Sequence, residues 1–168
     1  VKIYVTGVSG TGKSSIAREL NARGVPAIDM DDLCHWQHKP TGERTGWEPG
    51  KDDEWYEKHG WICSIESLQE FLTANDNAVA LGLSSNQDEY LPFFDKVLIL
   101  RSKPEVITER INKRTDNDYG KHPAEQGRIL NWHKTFEKEM VDKGAIPLDA
   151  DRELGEVVDE IVAHLGSS

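Results

Sequence analysis

The sequence predicts an α/β domain with a parallel sheet covered by helices on both faces, and three observations carry that prediction. Short β-branched apolar runs alternate with amphipathic stretches of helical spacing along the whole chain. The first apolar run feeds directly into Gly7-Val8-Ser9-Gly10-Thr11-Gly12-Lys13-Ser14, a full G-x-x-x-x-G-K-S/T phosphate-loop pattern in the strand-to-helix setting that the pattern requires. At 168 residues the chain suffices for one domain with its own core, without disulfides or a structural metal.

Residues 1–6 form the first predicted strand. A helix starts near Gly12, carries Ile16, Ala17 and Leu20 on one face, and stops at Gly24, which suits the left-handed position after a helix end. Residues 25–29 are a second strand, ending in the acidic cluster Asp29, Asp31 and Asp32. Residues 37–51 are too broken by Pro and Gly to be regular and read as a functional loop. Helical spacing resumes with Trp55, Ile62, Ile65, Leu68 and Leu72 on one stripe, which Gly60 can kink or split.

Residues 78–83 and 96–100 are two further strands, and Ser102-Lys103-Pro104-Glu105 after the second is a capping box that opens a helix to about Arg114. Residues 115–122 form a polar loop before a helix carrying Ile129, Trp132, Phe136 and Met140, which Gly144 ends. Residues 145–148 are a last short strand, and Leu154, Val157, Val158, Ile161, Val162 and Leu165 make the final amphipathic helix. In such a sheet, ligands bind at the carboxyl ends of the strands.

Lys and Arg number 20 and Asp and Glu 30, and a formal charge of −10 argues against a broad basic surface for nucleic acid. Any phosphate site must be local. Cys34 and Cys63 cannot make a disulfide framework, and no signal peptide or long apolar run stands out, so a cytoplasmic protein with no membrane partner is expected. A monomer is expected as well.

The loop has a clear chemistry. Its glycines let successive N–H groups curl toward phosphate oxygens, and the helix N-terminus adds partial positive charge. Gly7, Ser9, Gly10, Thr11, Gly12, Lys13, Ser14 and Ser15 are the candidate nucleotide contacts. Lys13 would reach the β- and γ-phosphates of ATP and the Ser14 hydroxyl would ligate Mg²⁺. The plainer alternative is a glycine-rich turn whose lysine faces solvent.

Two other patterns are discounted. Asn112-Lys113-Arg114-Thr115-Asp116 approximates the guanine-selecting N-K-x-D motif, but its aspartate comes one residue late and the segment reads as helix. Cys34 and His38 have metal-ligand spacing if the segment is helical, but further ligands are missing nearby.

With these features in place, the chain resembles the small P-loop kinases grouped around shikimate, gluconate and adenylate kinases. The resemblance is specific at residues 7–14 and extends to Asp29-Met30-Asp31 and to residues 110–121. It implies a three-layer fold with a five-stranded parallel sheet of order 2-3-1-4-5, one domain over residues 1–168, an acceptor-binding insertion at about 33–74 and a mobile lid at about 115–125.

In shikimate kinases a D-x-D at the end of strand two places one carboxylate near Mg²⁺ and one on the acceptor hydroxyl, which matches Asp29 and Asp31. An alcohol holds its proton at neutral pH, so Asp31 is the candidate base. Asp31 or Asp32 could instead cap the next helix, Asp32 being the better candidate, and the two roles are compatible. Gly82 fits the glycine-rich acceptor loop of these families, whereas Leu81 stands where adenylate kinases carry an acidic residue.

Arg110 and Arg114, one helical turn apart, resemble lid-base arginines, one stacking on adenine and one touching phosphates, and Lys121 stands where shikimate kinases place a lid arginine. The alternative is that both arginines lie on a solvated helix face. Tryptophans are more often core than ligand contacts. Trp36 and Trp47, which flank the insertion, are the exceptions to test, with Arg44 as an anchor for an acidic or phosphorylated group and Asn86 as a further acceptor contact.

The resemblance thus implies an ATP-dependent kinase that transfers the γ-phosphate to a hydroxyl of a small metabolite. Lys13, Arg114 and Lys121 would stabilise charge, and Ser14 and Asp29 would serve Mg²⁺. A nucleoside monophosphate kinase, supported by Arg44 alone, and a regulatory nucleotide-binding module remain as alternatives.

Overall fold

In chain order, the elements are β1 (Lys2–Thr6), α1 (Lys13–Ala22), β2 (Ala27–Asp29), a 3-10 turn at Met30–Leu33, β3 (Cys34–His38), β4 (Arg44–Thr45), α2 (Asp53–Lys58), β5 (His59–Cys63), α3 (Ile65–Ala74), β6 (Ala78–Leu81), α4 (Gln87–Tyr90), a second 3-10 turn at Leu91–Phe93, β7 (Lys96–Arg101), α5 (Pro104–Lys113), α6 (Pro123–Asp142), β8 (Ile146–Asp149) and α7 (Leu154–Gly166). This computed structural model describes residues 1–166.

The main sheet has the order β2-β6-β1-β7-β8 and all its pairings are parallel. Counting only this sheet's strands along the chain gives 2-3-1-4-5, the predicted order. Alternation along β1 builds both faces. Ile3 and Val5 pack with Ile16 and Leu20 of α1 and Val157, Val158 and Ile161 of α7, while Tyr4 packs with Met30, Leu68 and Ala80 on the other side. Beside these, Ile99 joins Ile107, Ile111, Ile129 and Phe136 beneath α5 and α6. Among the described residues no helix is long and apolar enough to cross a membrane.

The insertion differs from the prediction. Trp55 to Leu72 is not one helical stripe, because two caps reset the backbone: Asp52 accepts from Trp55 N at 2.9 Å to start α2, and Ser64 accepts from Ser67 N at 3.3 Å to start α3. Between them, His-Gly-Trp-Ile-Cys pairs antiparallel with β3, and a second sheet of order β4-β3-β5 results. Part of the segment read as irregular is therefore strand. Cys34 and His38 sit at opposite ends of β3, separated by about 13 Å of strand rise, so they cannot share a metal.

Two predicted caps also change. Lys103, not Ser102, occupies the N-cap of α5, where its backbone N–H donates to Asp151, and the Ser102 hydroxyl accepts from Arg110 instead. After β2 the cap is Asp29, whose carboxylate accepts from Asp31 N at 3.0 Å, while Asp32 is exposed.

Gly82 is fixed by close packing: a Cβ there would lie 2.5 Å from the Met30 Cβ. Gly82→Ala is expected to destabilise the fold by about 1–3 kcal/mol, measurable by denaturant unfolding, because the Met30 Cβ that the new methyl would meet is fixed directly to the backbone.

Candidate active site

The phosphate loop leaves the buried end of β1 and turns back over itself. Gly10 and Gly12 have φ of +90° and +98°, and a Cβ on Gly10 would meet Ile111 at 2.9 Å, so the turn requires glycine. Gly12 caps α1 without a side-chain hydrogen bond, which leaves the first-turn amides of that helix directed at the loop. The Thr11 hydroxyl braces the curl by donating to Val8 O at 2.9 Å.

Lys13 Nζ lies inside this curl, donating to Gly7 O at 2.5 Å and Val8 O at 2.9 Å. Burial pulls its pKa down to about 8, against the upward pull of the Asp31 and Asp29 carboxylates, and the Arg114 charge lowers it further. A polyanion entering the loop would favour the ammonium form further and raise that pKa.

The acidic end of β2 closes the other side. Ser14 Oγ donates to Asp29 Oδ2 at 2.6 Å, and the same carboxylate caps the 3-10 turn that carries Asp31. Asp31 opens on the cavity and is exposed to solvent. The protein packed around its carboxyl raises its pKa by desolvation, while Lys13 and a hydrogen bond from Trp61 hold it down and Asp29 pushes it up.

The oxygen-only pair Ser14 and Asp29 fits a hard divalent cation that keeps most of its waters and takes its remaining ligands from phosphates, as Mg²⁺ does. Among the described residues no group of three His, Cys, Asp or Glu side chains forms an all-protein metal cage.

A cavity of about 630 Å³ runs from this point along the loop to the start of α7. It brings together Ser9, Gly10, Thr11, Gly12, Lys13, Ser14, Ser15, Asp31, Arg110 and Arg114, with Ala150, Arg152 and Leu154 at the far end. Gly7 and Asp29 are not on the cavity wall: the Gly7 carbonyl accepts from Lys13, and Asp29 is joined to the loop through Ser14. Neither arginine is on a solvated face. Arg110 donates to Thr11 O at 3.1 Å and to Ala150 O at 2.7 Å, and Arg114 donates to Ser9 Oγ at 3.1 Å, to Asn117 O at 3.0 Å and to Tyr119 O.

Other candidates lie outside the cavity wall. Trp36 is the centre of an aromatic cluster, with ring centroids of Trp55, Trp61 and Tyr56 at 5.1, 5.3 and 5.7 Å. The Trp47 indole N–H donates to the Tyr56 hydroxyl at 2.9 Å. Arg44 is exposed on β4 opposite Gln37, and Lys121 is paired with Asp118 at 3.3 Å. Asn86 spends its amide on the backbone N–H and C=O of Cys63 and on Glu89, so it joins β5 to the loop after β6. Gly82 and Asn86 thus have scaffold roles in this structure.

Sequence reasoning missed Trp61, because the helical stripe hid its strand, and missed the residues around Ala150, which no motif marks.

A family model described as an AAA domain matches residues 3–131. The chain belongs to this AAA domain family. This AAA domain chain is 26% identical over 115 residues to a Methanocaldococcus jannaschii protein named "Putative adenylate kinase", a match covering 68% of the chain and 59% of that relative. Its fold is shared with a Sinorhizobium meliloti gluconokinase (TM-score 0.52, 24% identity, 98% of this chain and 91% of that one). It is shared also with an Aquifex aeolicus shikimate kinase (TM-score 0.56, 20% identity, 99% and 96%) and with an M. mycoides deoxyadenosine kinase with bound dATP (0.56, 16%, 99% and 100%). The AAA domain chain therefore has a P-loop kinase fold.

Proposed function

We propose that this protein transfers the γ-phosphate of ATP to a hydroxyl of a small metabolite, acting as a cytoplasmic monomer. The observation that carries this reading is the placement of Asp31 in the same cavity as Lys13 and Arg114, close enough for their charges to shift its pKa. A carboxylate beside the phosphoryl path suits an alcohol, which must lose a proton, and repels a phosphate acceptor.

Bound Mg²⁺, held by Ser14 and Asp29, would neutralise charge on the phosphates. The chain's own residues do the rest. The loop amides and Lys13 hold the polyphosphate, and Arg114 adds positive charge where the transferring group spreads its own over three oxygens. Asp31 orients the acceptor hydroxyl and takes its proton as the new P–O bond forms and the bond from the γ-phosphorus to the bridging oxygen breaks, releasing ADP.

The name of the archaeal relative favours a second reading, phosphorylation of a nucleoside monophosphate. That chemistry calls for acceptor-side arginines. Arg44 faces solvent, and the Arg128 guanidinium is stacked over the Tyr56 ring. ADP release with nucleosides, nucleoside monophosphates, sugar acids and cyclic polyols separates the readings: turnover is expected with a hydroxyl acceptor, and stimulation by monophosphates alone would overturn the assignment.

The pH profile is a further expected result. Asp31 must be deprotonated and Lys13 protonated in the free enzyme, so kcat/KM should rise with pH through a point above the usual carboxylate range and fall again above about pH 8. Steady-state rates from pH 4 to 10 check both limbs.

A further inference from the structure

Glu125 is buried in the first turn of α6 with no exposed surface, although it is an acidic residue. Burying a carboxylate is costly unless its oxygens are satisfied. Both are, by the backbones of two different segments. Gly50 N, in the insertion just before α2, donates to Oε2 at 2.7 Å, and Gly120 N, in the lid loop, donates to Oε1 at 3.1 Å.

The chain of contacts continues past Gly120. The neighbouring Tyr119 carbonyl accepts from Arg114, whose other nitrogen donates to Ser9 Oγ in the phosphate loop. The insertion is docked on the same loop and on α6 by side chains: the Trp47 ring lies 5.7 Å from Tyr119, and the Arg128 guanidinium sits 4.1 Å over the Tyr56 ring while bonding Asp53. The Arg128–Asp53 pair is largely exposed at its acidic partner, and such pairs fix little. Glu125, with two charge-assisted bonds in a dry setting, is the committed joint.

We propose that Glu125 is a positioning residue that couples the acceptor insertion to Arg114 and the phosphate loop, so that filling the nucleotide site steadies residues around Gly50. This rests on the reading of the loop and Arg114 as a nucleotide site. When Arg114 turns toward a γ-phosphate, Tyr119 and Gly120 move with it, and Glu125 carries that movement to the insertion. The two sides of the reaction are thereby brought to register by one carboxylate that touches neither substrate.

The test is amide hydrogen exchange followed by NMR, with and without magnesium and a non-hydrolysable ATP analogue, and with calorimetry to establish that the analogue binds. In the wild-type protein the analogue should slow exchange at Gly50 about tenfold, an ordinary coupling between two sites. Glu125→Gln places an NH₂ against a backbone N–H. It should keep analogue binding and phosphate-loop protection but lose the response at Gly50.

Binding without any response at Gly50 in the wild type would overturn the coupling while leaving the nucleotide site intact, and so would an undiminished response in Glu125→Gln. Absence of binding heat would overturn the nucleotide-site reading itself. Should Glu125→Gln fail to fold, the wild-type comparison still decides.

Discussion

Lys13→Met is expected to slow phosphoryl transfer by about 10²- to 10³-fold, the usual cost of removing one preorganised charge stabiliser. Methionine keeps the length and bulk of the side chain, and an apolar group is tolerated where burial already pulls the ammonium down to about 8. The loop should survive the change, because Val8 O retains its bond from Thr11 Oγ1. Single-turnover kinetics with the identified acceptor would measure the loss, and thermal unfolding would show that the fold is unaltered. A variant of wild-type rate would mean that the lysine serves only its two carbonyl contacts.

Asp31→Asn is expected to lower kcat for the hydroxyl acceptor by about 10²- to 10⁴-fold, the range for loss of a positioned general base, with much less effect on nucleotide affinity. Asp29, which is bonded to Ser14, is left in place, so the magnesium end is preserved. The pH profile should change in two ways. Its acidic limb should vanish with the titrating carboxyl, and its basic limb should move below about 8, because Asp31 is the largest influence holding the Lys13 pKa up. An unchanged acidic limb would assign it to another group.

How much of this could be read beforehand varied with the range of the interactions involved. The phosphate loop was legible because three glycines, a lysine and a hydroxyl act within eight residues, and the strand order followed from the family that such a loop resembles. Asp29 and Asp31 were legible for the same reason, being fixed by the end of one strand. The cap was not: Asp29, rather than Asp31 or Asp32, caps the turn, and its bond to Ser14 crosses from one element to another.

The insertion was the least legible part. Trp55, Ile62, Ile65, Leu68 and Leu72 satisfy helical spacing, yet Ser64 restarts the helix and Trp61 belongs to a strand whose partner, β3, lies about 25 residues earlier. A pairing across that distance leaves no local signature. Glu125 was missed because its partners are the backbone N–H groups of Gly50 and Gly120, which only the fold brings to one place.

The central claim, that the loop amides and the Lys13 ammonium form a magnesium-nucleotide cradle, is most directly tested by titrating the protein with ATP in a calorimeter, with and without magnesium. One nucleotide should bind per chain, more tightly with the metal, and Lys13→Met should weaken it. Absence of binding heat, or an affinity indifferent to both magnesium and that substitution, would contradict the account.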